Sequence, residues 1–221
     1  MCAVSDIKLG KYRHYKGNLY EVISTARYSE DPSQEFVVYK ALYNSPEFGQ
    51  DTLWVRPKAM FFESVVVDGQ EVPRFKLIPK IAISGSLNFT LEMKKLADDL
   101  KARGFAVQLP VSSEMILRGE LTVDDIKAEK DSGKIIDRAI KQDAIRGHWN
   151  IINEADVVLV ANFIKNEVKD YIGGSVFLEM GFAHVLNKPI YILNDIPEMA
   201  YTAEILSMQP IVLGGDLSKI S

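Results

Sequence analysis

The sequence predicts an α/β protein: an open parallel sheet of the Rossmann or flavodoxin-like kind, preceded by a small, mainly β unit. Three observations predict this. From Ile81 onward short apolar runs alternate with amphipathic stretches, the text of strands joined by helical crossovers. One of those runs, DVVLVAN, is apolar without interruption, as a strand covered on both faces must be. Before residue 80 the text is different: short, aromatic and punctuated by turn residues. The expected division is residues 1–78 and 81–221.

In the first stretch, Tyr20 and Val22 alternate with Glu21, the period of a half-buried strand. EFVVYKALYNS, DTLWVRP and ESVVVDGQEVPRF continue in short segments. Asp68-Gly69 between two apolar runs is a two-residue hairpin signal. Asp31-Pro32-Ser33 and Asn44-Ser45-Pro46 read as longer turns. Four or five antiparallel strands in a small barrel or curled sheet are expected. RFKLIPK, with Pro79, reads as the junction.

In the second stretch, IAIS is the first strand. TLEMKKLADDLKARG is a helix with Leu91, Leu96 and Leu100 on one side and Gly104 as its stop. FAVQLP is the second strand. The charged run from Val111 to Gly133 lacks a clear period and is expected to be an excursion, either solvated surface or a lid. KIIDRAIKQDAIRGHWNIINEA is a long helical pattern that Gly147 could kink. DVVLVAN follows as the central strand, SVFLEMGFAHVLN as a helix, PIYIL as a strand, AYTAEILSM as a short helix and PIVL as the last strand.

Composition narrows the function. A formal net charge of −4 and a pI near 5.5 lack the basic field that nucleic-acid binding requires, so no nucleic-acid partner is expected. The one cysteine, Cys2, forms no disulfide within the chain, and with three histidines no Cys/His metal site is expected. No cofactor is implied. No apolar run approaches a membrane span of ~18 residues, and MCAVSDIKLGKYRHYKG has no apolar leader segment. The expectation is a soluble protein of the reducing cytoplasm, without membrane association.

In open parallel sheets ligands bind beyond the carboxyl ends of the strands. Three segments are expected there: Ser84-Gly85-Ser86-Leu87-Asn88 after the first strand, Ala161-Asn162 after DVVLV, and Tyr171-Ile172-Gly173-Gly174-Ser175 before the next helix. Small residues beside helix starts bring backbone N–H groups close to an anion, although glycines can equally serve tight turns alone. Glu179 stands out as a carboxylate amid Val176, Phe177, Leu178, Phe182 and Ala183. Read as a first-turn residue, it either compensates the helix dipole or does chemistry. A capping box fails by one residue, since Ser175 lies four positions before it. His148, on the helix before the central strand, is either structural or catalytic. Asp143 and Arg146 form a surface pair or face the site.

ADVVLVAN followed by GGSVFLEMGFAHVLNKPIYIL resembles the nucleoside 2-deoxyribosyltransferase family, over roughly Ile81 to Leu213. The family pattern of Ala-Asp opening a strand, then Glu-x-Gly-x-Ala and Lys-Pro, is met by Ala155-Asp156, Glu179 to Ala183 and Lys188-Pro189. The resemblance implies that Glu179 is the nucleophile on an anomeric carbon and that Ser84-Gly85-Ser86 is a sugar- or phosphate-binding loop. His148 stands eight residues before Asp156, where members carry a base-handling Asp. Gly173 stands six residues before Glu179, where many carry a sugar-holding Asp. These departures point to the wider superfamily, which includes hydrolases of nucleoside 5′-monophosphates. The implied ligand is a nucleoside or nucleotide, and the implied chemistry is N-glycosidic cleavage or glycosyl transfer, with a silent nucleotide-sensing module as the alternative. His148 and Asp143 are the candidates to assist Glu179. Ser84, Gly85, Ser86, Asn88, Asn162, Tyr171, Gly173, Gly174 and Ser175 are the candidates to bind substrate. The resemblance also implies a homo-oligomer, most simply a dimer, with Met199 to Met208 either reaching across or covering its own sheet.

GKYRHYKGNLYEV, VVYKALY, LWVRPKAMF and VPRF resemble a small bacterial domain of unknown function, which implies no chemistry. Tyr12, Tyr15, Tyr39, Tyr43 and Trp54 either line a recognition groove there or form the core of a small barrel.

Overall fold

The computed structural model describes residues 7–141 and 143–220, so Cys2 and the N-terminal reading lie outside the described residues. The chain divides into two compact units, Met1–Ile78 and Pro79–Ser221.

The first unit is an antiparallel sheet. Its strands are β1 (Gly10–His14), β2 (Leu19–Arg27), β3 (Glu35–Ala41), β4 (Leu53–Pro57) and, after α1 (Lys58–Phe62) and a separate hairpin of β5 (Ser64–Val67) and β6 (Gln70–Pro73), β7 (Phe75–Leu77). The order is β4-β3-β2-β1-β7, an open curled sheet and not a closed barrel. RFKLIPK is therefore more than a junction, because Phe75 to Leu77 pair with His14 to Tyr12. The register shifts between Val22 and Ser24, a bulge that bends β2. One face buries Tyr12, Val22, Val37 and Tyr39 against Phe61 of α1 and Phe75. Asp68 and Gly69 both have positive φ, 49° and 80°, as the tight β5–β6 turn demands.

The second unit is a parallel sheet with helices. Its strands are β8 (Lys80–Gly85), β9 (Ala106–Gln108), β10 (Val157–Ala161), β11 (Ile190–Ile192) and β12 (Ile211–Val212), in the order β12-β11-β10-β8-β9. Counted within the unit this is 2-1-3-4-5, so the connections leave β8 in opposite directions and open a crevice between β8 and β10. The helices are α2 (Thr90–Ala102), α3 (Val111–Leu117), α4 (Val123–Asp131), α5 (Lys134–Lys141), α6 (Ala144–Glu154), α7 (Gly174–Val185) and α8 (Thr202–Ser207). β10 explains its own sequence. Val157, Leu159 and Ala161 face a core shared with α2, while Val158 and Val160 face a core shared with α6, α7 and α8. Every residue of the strand is buried.

Three expectations change, and the covering alternative for Met199 to Met208 is the one seen. The buried stripe of α2 is Thr90, Met93, Ala97 and Leu100, and Leu91 is exposed. The charged run after Val111 is largely helical, and Thr122 and Asp125 form a reciprocal capping box at the start of α4. The long helical pattern breaks ahead of α6, where Asp143 takes a left-handed φ of 45°, while Gly147 lies inside the helix. Met199, Tyr201, Ile205 and Met208 pack against the chain's own core. No helix among the described residues is long and apolar enough to cross a membrane.

Candidate functional site

The carboxyl ends of β8 and β10 lie in register, with Ser84 opposite Val160 and Gly85 opposite Ala161. Between β10 and Met93 of α2, Gly85 has little room for a side chain. A Cβ there would lie 2.7 Å from Met93 Sδ and 3.1 Å from the Ala161 carbonyl oxygen. Gly85 thus serves backbone packing, and this fixes where Ser84 and Ser86 emerge.

Ser84 is fully buried, and its hydroxyl lies 3.2 Å from His148 Nε2. The same nitrogen lies 3.3 Å from Glu179 Oε2. β8, α6 and α7 therefore bring three side chains to one point in the crevice. Glu179 lies in the second turn of α7, not the first. Dipole compensation, which fades beyond the first turn, does not account for it. Its side chain is 16% exposed, and Oε2 is shielded from solvent with no hydrogen-bond partner among the described residues. Burial pushes its carboxyl up to about 7, and a hydrogen bond from Ser84 acts in the opposite direction. Burial also pulls His148 down to about 4. Near neutral pH the imidazole is neutral, and the proton nearest to exchange is on the carboxyl.

The other predicted residues divide. Asp143 is exposed and ion-paired with Arg146 at 2.8 Å, so it is engaged at the surface and does not join the cluster. Asn88 is exposed on a single 3-10 turn ahead of α2. Asn162 is fully buried, and its side chain is consumed by the fold. Its Nδ2 donates to the carbonyls of Asp170 and Asp195, and its Oδ1 accepts from Asn194 N–H. It joins the loops after β10 and β11, and both of its amide donors are used there. Gly173 is the N-cap of α7, with extended backbone and Tyr171 alongside. A Cβ there would meet the Tyr171 ring at 3.1 Å. Gly174 and Ser175 open α7 and are exposed, where its first N–H groups lack helical partners.

Lys165 escaped the sequence reading. Its Nζ donates to Ser86 Oγ at 2.8 Å and lies 5.1 Å from the Tyr171 ring centroid. It sits at the start of a tight hairpin, where Lys165 and Val168 exchange both backbone hydrogen bonds. Asn166 and Glu167 between them take positive φ, 48° and 65°. That turn usually announces itself by glycine, which this one lacks. Burial, then Lys130, holds the Lys165 ammonium below its usual range. Of the carboxylates on this loop Asp170 pairs with Lys169, and Lys165 itself forms no ion pair among the described residues. A cation with its charge unbalanced thus stands over the loop after β8.

No group of three or more His, Cys, Asp or Glu among the described residues is placed to hold a metal ion.

Comparison with known proteins gives two levels of likeness. No curated protein matches. Among solved structures, the Clostridium botulinum CMP N-glycosidase BcmB shares 15% identity, with 60% of this chain and 84% of that one covered and a TM-score of 0.32. A DUF1653 protein from Bordetella bronchiseptica shares 33% identity, with 34% of this chain and 92% of that one covered and a TM-score of 0.31. The family described as "Protein of unknown function (DUF1653)" matches residues 10–77. Residues 10–77 thus form a DUF1653 domain.

Proposed function

We propose that the second unit cleaves the N-glycosidic bond of a nucleoside or nucleoside 5′-monophosphate, with Glu179 as the nucleophile. One observation carries this reading. A carboxylate oxygen in the strand-end crevice is shielded from water and has no hydrogen-bond partner among the described residues, 3.3 Å from His148 Nε2. A buried carboxylate with one oxygen unsatisfied is costly to a fold and calls for a use. The motif resemblance, with Glu179 in Glu-x-Gly-x-Ala, supports the same role.

The chemistry follows the covalent route of retaining glycosidases. Ionised Glu179 attacks C1′ as the C1′–N bond breaks, and the base leaves with the bonding electron pair. Positive charge developing on the sugar favours the ionised carboxylate, so the raised affinity of Glu179 for a proton is offset where the transition state needs it. The product is an ester between Glu179 and C1′. Water then adds at C1′, the ester bond breaks, the carboxylate is restored and one proton is released. A second base in place of water gives transfer. His148, neutral and held against Ser84, orients the carboxylate and accepts the proton of the incoming water.

Lys165 favours the 5′-monophosphate. A phosphate between Ser86, Lys165 and the start of α7 gains a cation, a hydroxyl and unpaired N–H groups.

A catalytically silent nucleotide-sensing module is the second reading. Asp143 favours it, because its exposed pair with Arg146 leaves the expected second carboxylate out of the cluster. Incubation with nucleosides and their 5′-monophosphates, followed by product analysis, separates the two. Release of free base, lost in Glu179→Gln, supports the enzyme. Saturable binding with no base released from any of them establishes the sensor.

A further inference from the structure

The first unit gathers cations around aromatic rings on one face of its sheet. His14, half-buried at the end of β1, lies 4.4 Å from the Tyr15 ring, 4.8 Å from Phe75 and 6.2 Å from Tyr20. Its Nδ1 accepts a hydrogen bond from the Lys16 backbone, which fixes the ring. Phe75, paired with His14 across β1 and β7, is stacked on Phe61 at 4.2 Å. The Arg56 guanidinium lies 5.8 Å from the centroid of the same Phe75 ring. Arg56 Nε donates to the Tyr39 hydroxyl at 3.2 Å, which uses one of the five guanidinium donors.

The charges here do not balance. Among the described residues, the carboxylates of this unit that form ion pairs hold Arg27, Lys40, Lys58 and Arg74. Arg56 is left without an acidic partner among the described residues. Burial, then Arg56, Arg74 and Lys16, hold His14 below its usual protonation range, which places all three cations in its field. Among the described residues only Arg74 of these is paired, with Glu63. Tyr20 and Tyr43 stand beside them with their hydroxyls 2.9 Å apart. Burial pushes Tyr20 up to about 12, so its phenol stays neutral and able to donate. A structural role for Arg56 is to lay its apolar stem over the core. That role uses the stem and leaves most of the guanidinium donors spare.

We propose that this end of the first unit is an oxyanion-binding site for a small phosphate monoester, held by the Arg56 guanidinium with His14 and the Tyr20–Tyr43 hydroxyl pair beside it. Three cations against the single Glu63 carboxylate match a dianion better than a carboxylate ligand. The planar fork of Arg56 suits two phosphate oxygens at once. The Tyr15 and Tyr20 rings, both beside His14, offer aromatic surface to the ester's organic group. The site stands on residues of the first unit alone and is independent of Glu179.

The test follows the His14 imidazole in the full chain by nitrogen-correlated NMR, with His14→Gln identifying its signal among the three histidines. Inorganic phosphate is titrated at constant ionic strength against sodium chloride. The expected result is a saturable shift of His14 and a rise of about one pH unit in its titration midpoint, as an anion within about 4–6 Å produces. Sodium acetate gives a weaker shift. Arg56→Gln abolishes the phosphate response. Arg56→Lys, which keeps the charge without the fork, retains it at reduced strength, and it decides the matter if Arg56→Gln loses its native circular dichroism. An unresponsive His14 at millimolar phosphate overturns the site, as does an equal response to chloride or in a folded Arg56 variant lacking the cation. Binding of a single-stranded oligonucleotide without any response to phosphate overturns the small-ligand assignment.

Discussion

Glu179 Oε2 and His148 Nε2 lie 3.3 Å apart, and burial drives the two groups in opposite directions, the carboxyl up to about 7 and the imidazole down to about 4. Both shifts favour the neutral form, as expected when two ionisable groups are largely buried together. The pair is held ready to ionise and is not a settled ion pair. Substituting either member therefore has consequences that an ordinary salt bridge would not show.

Glu179→Gln keeps the shape of the side chain and removes the charge that attacks C1′. Base release is expected to fall at least about a thousandfold, the scale of losing a covalent nucleophile. Binding of the nucleotide is expected to stay within a few-fold of the parent. Product analysis and calorimetry on the same preparation check both halves. A folded variant with parental turnover removes Glu179 from the mechanism.

Lys165→Met tests the phosphate contact. A hydrogen bond to a charged group contributes about 1.5–3 kcal/mol, so KM for a 5′-monophosphate is expected to rise about 10–100-fold. KM for the corresponding nucleoside is expected to change little. Ser86→Asp should act in the same direction through like-charge repulsion. Equal losses for both substrates place Lys165 in the fold of the loop and not in phosphate recognition.

Gly85→Ala probes the approach of β8 to β10. Its Cβ would fall 2.7 Å from Met93 Sδ and 3.1 Å from a backbone carbonyl, and the second contact has no rotamer to relieve it. Overpacking of this kind costs about 1–3 kcal/mol. Denaturant unfolding of the full chain should show that loss, while an equally stable variant indicates that the strands can part without cost.

The legible parts of the fold were those where burial writes a simple pattern. Val157 to Ala161 read as a central strand because both its faces are covered. Leu91 misled the reading of α2 because leucines at 91, 96 and 100 give a stripe almost as regular as Met93, Ala97 and Leu100, and only the sheet decides between them. Within the site, Glu179 and His148 could each be singled out from their neighbours in sequence. Their meeting with Ser84 depends on the parallel pairing of β8 with β10, which single-sequence spacing does not contain. Asn162 looked like a ligand residue because it follows a strand, yet its amide is used to join two loops. Lys165 gave no signal at all: it is one lysine in a loop whose tight turn is made by Asn166 and Glu167.

The final prediction concerns pH. A carboxyl raised from 4.5 to about 7 in the folded chain binds its proton more tightly there than in the unfolded chain. Between those two values the folded state holds more protons, so this group's contribution to stability falls as pH rises from about 4.5 to about 7. His148, lowered from 6.5 to about 4, has the opposite sign. Between those values the unfolded state holds more protons, so the contribution of His148 rises with pH. Across most of this window the two slopes oppose each other, and the parent conceals both. Glu179→Gln removes one. Relative to the parent it is expected to gain stability as pH climbs from about 4.5, reaching on the order of 3 kcal/mol above about pH 7. Activity should follow the same group with the other consequence. If the ionised carboxylate attacks C1′, kcat/KM of the parent rises through about pH 7 and levels above it. Urea unfolding of parent and variant at several pH values, beside a pH–rate profile of the parent, measures both. A stability difference that is flat with pH shows that Glu179 is not held in its neutral form. A rate that instead falls as pH rises through 7 assigns Glu179 the role of an acid and removes it as the nucleophile.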